Sequence, residues 1–361
     1  MLTVSLSIVA MYPMKKLEFL IPSYKRPQTL VRAIQSITTQ VKQFELADKV
    51  SIVVVDDCTP NFSCDDIRKQ INILPEIVDI RTNTYNKGMS LNIRDMVFES
   101  SADFACILTD DDYLQPNILI DIINFIDNLT SYENNTNVQI GSFFVPRYSY
   151  LEDGSLHCVV CKPFEQDTLI PRGTINSIRY LHNGFILTGL FFRPKLINFS
   201  LWNENIENAY FPVIYFFDLL LKYNCFFINR NWFVHTVLNR CHWEAWGATD
   251  YERTKRLYTD YMKVITVCTN VSIDYDKRTT STYIHYLKKI FILIEETKNY
   301  RNQIKSVIRS GLSLVDIKGV NDLTKQRLTF RLAVVISYID LILFRFILKF
   351  IRNLRILTYG K

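Results

Sequence analysis

Four short apolar runs, LEFLI (17–21), VSIVVVDD (50–57), IVDIRT (77–82) and FACILTD (104–110), recur along the first third of the chain. Each is rich in β-branched or aromatic residues and too short for a helix, so each reads as a buried strand. Helical stretches separate them. RPQTLVRAIQSITTQ (26–40) puts Pro27 in a first turn and Leu30, Ile34 and Ile37 on one face. SLNIRDMVFESS (90–101) follows Gly88 and sets Leu91 with Met96, and Ile93 with Val97, near helical spacing. Strand, helix and strand at this rhythm require right-handed crossovers and hence a mainly parallel α/β sheet.

The rest of the chain carries weaker signals. A strand pair is expected within IGSFFVPRYSYLEDGSLHCVVCKPF (140–164), turning at Asp153-Gly154, followed by GFILTGLFFRP (184–194) and a helix over FPVIYFFDLLLKY (211–223). Beyond 250 the pattern is helical. With 361 residues, 48% of them hydrophobic, the chain has enough apolar content for a sizeable core. A net charge of +6, with the clustered excess at the C-terminus, argues against nucleic acid as a partner. The eight cysteines form no disulfide framework, which suits a reducing compartment and buried, unreactive thiols. HCVVC (157–161) lacks a matching second pair for zinc, because RCHWE offers only Cys241 and His242. MLTVSLSIVAMYP (1–13) has neither a basic start nor a cleavage site, so it reads as an extension outside the fold, with Met14 as the effective start.

The acids carry the chemistry. In open α/β sheets, ligands bind beyond the carboxyl ends of the strands. Asp56 and Asp57 close the second strand, and Asp110, Asp111 and Asp112 close the fourth. Three adjacent carboxylates repel one another, so a cation or a solvated loop must balance them. Helix capping uses one carboxylate and leaves two unexplained. A dinucleotide dehydrogenase needs a glycine-rich turn after the first strand, where this chain has IPSYKRP. The same lack of glycines disfavours a nucleotidyltransferase. Two acidic clusters at strand ends point instead to a divalent cation holding a diphosphate.

Taken together, FLIPSYKRPQTLVRAIQSI, IVVVDDCTP, NKGMSLNIRDMV and ILTDDDYLQPN resemble glycosyltransferase family 2 in order and spacing over about 110 residues, with a motif form similar to its abequosyltransferase-like branch. The resemblance implies the GT-A fold, a Rossmann-like, mainly parallel sheet flanked by helices, here with a helical C-terminal extension. It implies a nucleotide-sugar half at 14–125, an acceptor half at 126–247 and a helical region at 248–361. The implied reaction moves a sugar from a nucleoside diphosphate to a hydroxyl acceptor, usually with Mn²⁺ or Mg²⁺. By resemblance, Pro22, Ser23, Tyr24 and Arg26 line the nucleotide-sugar site, Asp56 or Asp57 accepts from the base, and Gly88 and Asn92 belong to the same site. Lys87 or Arg94 supplies countercharge to the diphosphate. Asp110 supports the donor, Asp111 is the expected direct metal ligand, and Asp112 and His235 join it.

An acidic pair usual in relatives is replaced by Pro212 and Val213, which leaves Glu207 and Asp218 as the nearest candidates for the base, and a sugar- or nucleotide-binding protein without catalysis as the alternative. Trp243 and Trp246 are candidates for an acceptor platform. Residues 328–357 are apolar but interrupted by Asp340, with Arg331, Tyr338, Arg345, Lys349 and Arg352 on one stripe. That describes an interfacial basic helix attracted to an anionic membrane surface, and a helix docked on the domain or at a homo-oligomer interface is the alternative. The expected setting is the cytoplasmic face of the cell membrane, acting on a saccharide or lipid-linked saccharide.

Overall fold

The computed structural model describes residues 15–71, 76–151, 153–185 and 187–236, with isolated helical positions between 256 and 275. Two compact units are separated, Met1–Asn239 and Arg240–Lys361, and the first holds every element below. The segments 1–13 and 328–357, together with Cys241, His242, Trp243 and Trp246, lie outside the described residues.

The expected rhythm is present: β1 (Leu17–Ser23), α1 (Pro27–Gln43), β2 (Val50–Asp56), α2 (Cys64–Ile71), β3 (Val78–Thr82), α3 (Met89–Glu99) and β4 (Phe104–Ile107). A two-residue β5 (Tyr113–Leu114) and α4 (Leu119–Thr136) follow. Next come β6 (Ile140–Phe144), β7 (Arg147–Tyr150), β8 (Leu156–Val160), β9 (Thr168–Ile170), α5 (Thr174–Arg179) and β10 (Leu190–Phe192). The unit closes with α6 (Phe199–Glu204), α7 (Phe211–Lys222), β11 (Asn224–Phe227) and β12 (Phe233–Thr236).

An eight-stranded sheet runs in the order β3-β2-β1-β4-β10-β6-β11-β9. The β3-β2-β1-β4 block is parallel throughout, β6 and β11 pair in parallel, and β10 and β9 run against their neighbours. Successive residues enter opposite faces of this sheet. Phe19, Phe143 and Phe191 pack with α1 and α4 through Leu30, Ile34, Ile122 and Ile126, whereas Leu20, Phe144 and Phe192 pack with α3 and α7 through Ile93, Met96, Phe216 and Leu220. Burial on both faces explains why the strands read as continuous apolar runs rather than alternating ones.

A second sheet, β5-β12-β7-β8, departs from the expected organisation. The strand pair expected over 140–164 is divided, with β6 in the large sheet and β7 and β8 forming the hairpin of the small one, around the turn Gly154 N–H to Leu151 O of 2.9 Å. The 18-residue α4 spans the expected 125/126 boundary. No helix of the described residues is long and apolar enough to cross a membrane.

Candidate active site

Strand register assembles the site. Ser23 pairs with Asp56 and Asp56 with Thr82, so three polar residues stand in a row at the carboxyl edge. The chain after β4 continues alongside β1, with Leu108 N–H donating to Leu20 O at 2.9 Å, which carries Asp110 to the end of the same row.

Asp56 is fully buried. One carboxylate oxygen accepts from Thr59 N–H at 2.7 Å and Thr82 Oγ1 at 3.1 Å, while Oδ1 is buried without a partner. Asp57 gathers the loop before α3: it accepts from Asn83 Nδ2 at 2.9 Å, Lys87 N–H at 2.8 Å and Gly88 N–H at 2.8 Å. Gly88 caps α3 at φ 81°, a left-handed conformation that a side chain disfavours. Asn92, expected in the donor site, donates to Val55 O at 3.1 Å and accepts from Asn83 Nδ2 at 3.0 Å. Of the two acids expected to meet the base, Asp57 is engaged by three donors from the Gly88 loop and Asn83, and Asp56 keeps one oxygen without a partner.

The acidic triplet is divided in two. Asp110 accepts from Ser23 Oγ at 2.9 Å and Tyr24 N–H at 3.4 Å, and Arg26 Nη1 lies 3.1 Å from its Oδ1. Burial pushes the Asp110 carboxyl up to about 6, against the pull of Arg26 and with the push of Asp111. The same Arg26 nitrogen lies 2.9 Å from Asp111 Oδ2. The balancing cation that the sequence demands is therefore Arg26.

Asp112 turns inward. It accepts from Thr109 Oγ1 at 2.7 Å, from His235 Nδ1 at 2.9 Å and from Thr236 N–H at 3.2 Å. Burial opposes ionisation, but the charge and hydrogen bond of His235, with Arg147 and Thr109, hold this carboxyl down at about 2. An ionised carboxylate only accepts, so Nδ1 carries the proton, and the buried Nε2 of His235 has no partner. β12 makes this pairing by lying between β5, which follows the acidic loop directly, and β7.

Several contributors were not anticipated. Arg32 Nη2 donates to Asp111 O at 3.0 Å and Thr236 Oγ1 at 3.1 Å, with its guanidinium 4.5 Å over the Tyr113 ring. It lies six residues beyond Arg26 on α1, a spacing that the helix alone leaves uninterpreted. Thr188 Oγ1 accepts from Thr109 N–H at 3.1 Å, and no sequence signal marks it. Asp95 pairs with both phosphate-cation candidates, Lys87 Nζ at 2.8 Å and Arg94 Nη2 at 2.5 Å, and Arg94 Nη1 also donates to Asn203 Oδ1 at 2.9 Å. Burial raises the Asp95 carboxyl, and the bonds from Lys87 and Arg94 outweigh it, leaving a net lowering.

The two base candidates separate. α7 leads into β11, whose first residue pairs with the first of β6, so the C-terminal end of α7 lies at the amino edge of the sheet. Asp218 is buried near that end, 2.8 Å from Lys222 Nζ, on the side away from the acids. Glu207 is exposed in the turn before α7, on the carboxyl-edge side.

Residues 18–153, which include the Ser23–Asp56–Thr82 row, the Gly88 loop and the acidic triplet but not Thr188 or β12, match the family model described as glycosyl transferase family 2. Among solved structures, S. aureus TarS 1–349 in complex with UDP-GlcNAc is similar at 13% identity, covering 81% of this chain and 81% of that one, with a TM-score of 0.49. The mannosyltransferase PcManGT from Pyrobaculum calidifontis, in complex with GDP-Man and Mn²⁺, is similar at 10% identity, covering 90% of this chain and 84% of that one, with a TM-score of 0.45. No curated protein sequence matches the chain. The fold is GT-A-like: a mainly parallel α/β sheet, flanked by helices, whose N-terminal part coincides with the matched family.

Proposed function

We propose that the chain is a glycosyltransferase that moves a sugar from a nucleoside diphosphate to a hydroxyl acceptor. The observation carrying this reading is the convergence, within the segment matching the family, of the Ser23–Asp56–Thr82 row, the Gly88 loop and the acidic triplet at one sheet edge. Tyr24, with Pro22 and Ser23, borders the nucleotide, and Asp56 Oδ1 is the buried acceptor that lacks a partner.

A divalent cation fits this donor set. One positively charged nitrogen already stands between Asp110 and Asp111, so their oxygens converge on a single positive point. Among the described residues no three His, Cys, Asp or Glu side chains are gathered as a ready-made metal site. Asp111 and Asp110 would therefore hold the ion together with the donor diphosphate, and His235, tied to Asp112, stays outside it. When bound, Mn²⁺ or Mg²⁺ neutralises charge on the departing diphosphate. Lys87 and Arg94 supply the protein's own positive charge to the same group once Asp95 releases them. Glu207 is the proposed acceptor base. For the acceptor we infer a lipid-linked or surface saccharide, on the basic, apolar sequence of 328–357.

Two tests follow. UDP, GDP, CDP and dTDP are each added with Mn²⁺ or a chelator, and Tm is read. A ligand at a hundredfold its Kd adds about 2.7 kcal/mol of stability, a rise of roughly 5–10 °C for a unit of this size. One nucleotide is expected to stabilise with Mn²⁺, and no shift from any of them rejects the donor site. Asp95→Asn is expected to tighten binding of that nucleotide about three- to tenfold, by releasing two cations to the phosphates. Isothermal titration measures it, and weaker binding would make Asp95 a positioning residue for Lys87 and Arg94.

A further inference from the structure

The Arg26 guanidinium is placed unlike the other cations of the site. Its Nη1 stands between two consecutive carboxylates, 3.1 Å from Asp110 Oδ1 and 2.9 Å from Asp111 Oδ2. These are the only side-chain partners of Arg26 among the described residues, and the side chain is one quarter exposed, on the open side of the loop.

The loop does not depend on Arg26 for its shape. Its backbone is tied to β12 by Arg32, through Asp111 O and Thr236 Oγ1, and by Asp112, through His235 Nδ1 and Thr236 N–H. Ser23 Oγ separately holds Asp110 at 2.9 Å. Asp110 keeps Ser23 Oγ and Tyr24 N–H as partners when the bridging cation leaves. Asp111, whose backbone O is held by Arg32, has a side chain with no other partner among the described residues and is free to take a new cation. A guanidinium and a metal ion at the same two oxygens exclude each other by charge repulsion.

We propose that Arg26 is a displaceable internal cation. It neutralises Asp110 and Asp111 while no donor is bound and yields them to a divalent ion when a nucleoside diphosphate arrives, turning its own charge to the phosphates. Metal then enters with the donor and not before it. This rests on the donor site proposed above.

The test is Mn²⁺ binding to the full chain, followed by the electron paramagnetic resonance signal of free Mn²⁺, for wild type, Arg26→Lys and Arg26→Gln. Without nucleotide, Arg26→Gln is expected to bind Mn²⁺ about ten- to a hundredfold more tightly than wild type, because a positive charge within hydrogen-bond distance of both ligands is gone. Arg26→Lys, whose ammonium cannot bridge both carboxylates, falls between them. The gain in Mn²⁺ affinity brought by the stabilising nucleotide shrinks in the same order.

Equal or weaker Mn²⁺ binding in the variants overturns the proposal and makes Arg26 an organiser of the carboxylates. Should Arg26→Gln fail to fold, the comparison of Arg26→Lys with wild type decides alone. Failure of the donor reading is seen separately, as absence of nucleotide stabilisation in wild type.

Discussion

Replacing Asp111 with alanine is expected to abolish Mn²⁺-dependent stabilisation by nucleotide while leaving the fold intact. Its carboxylate is the most accessible of the triplet, at 21% side-chain exposure, and its only side-chain partner among the described residues is Arg26. A partly exposed ion pair of this kind contributes about 0–1 kcal/mol, so Tm without ligand is expected to move by no more than about 4 °C. Arg26 retains Asp110 as a partner in the variant. Turnover, measured with the donor whose nucleotide stabilises the protein, is expected to fall by about a hundredfold or more, since metal-borne charge stabilisation is worth several kcal/mol. Unchanged metal dependence would transfer the metal to Asp110, or remove it from the triplet.

The chain resolves three adjacent negative charges by giving each carboxylate a different environment. Asp110 sits where burial raises its carboxyl and Ser23 and Arg26 bind it, Asp111 faces the same guanidinium from the open side, and Asp112 is turned into the protein against His235. Sequence spacing alone treats them as a unit, and an Asp-x-Asp reading would pair Asp110 with Asp112. Backbone geometry separates that pair: Asp112 N–H closes on Thr109 O at 3.0 Å, a tight turn that sends successive side chains in different directions.

What was legible followed local rules. The strands of the parallel block, Pro27 in the first turn of α1 and the strand-end acids are readable because they depend on periodicity, proline chemistry and the ligand rule of open sheets. The 18-residue α4 was not, although Leu119, Ile122, Ile123, Ile126 and Leu129 form its buried stripe. Its isoleucines weaken helix propensity, and tertiary packing of that stripe decides the outcome. Resemblance places Asp112 and His235 in one site as metal ligands, but their direct hydrogen bond across 123 residues is not legible, because it arrives through pairing of β12 with a two-residue β5. Asp57 and Asn92 read as ligand-facing because polar residues at strand and helix ends usually are. In the folded chain Asp57 accepts from the Lys87 and Gly88 N–H groups of the loop and Asn92 donates to Val55 O of β2, obligations invisible in sequence.

Asp112→Asn is expected to destabilise the protein substantially without removing any solvent-facing charge. Three donors converge on the native carboxylate: Thr109 Oγ1 and His235 Nδ1 on one oxygen and Thr236 N–H on the other. An amide in the same volume turns its own N–H₂ toward one of those donors in either orientation, leaving buried groups unpaired. Loss of one partner from a buried, hydrogen-bonded pair costs about 3 kcal/mol, which lowers Tm by roughly 6–12 °C in a unit of this size. The pH dependence gives the sign. Asp112 is held at about 2 in the folded chain and returns to about 3.9 when unfolded. The unfolded state therefore binds more protons between these values, and stability rises with pH across that window. The contribution is complete above about pH 4 and is lost as pH falls toward 2, so the Tm gap between wild type and Asp112→Asn, read by calorimetry, is expected to be full at neutral pH and to narrow on acidification below about pH 4. A gap independent of pH would mean that shape rather than charge makes Asp112 necessary, and that the His235 ring is held by packing alone.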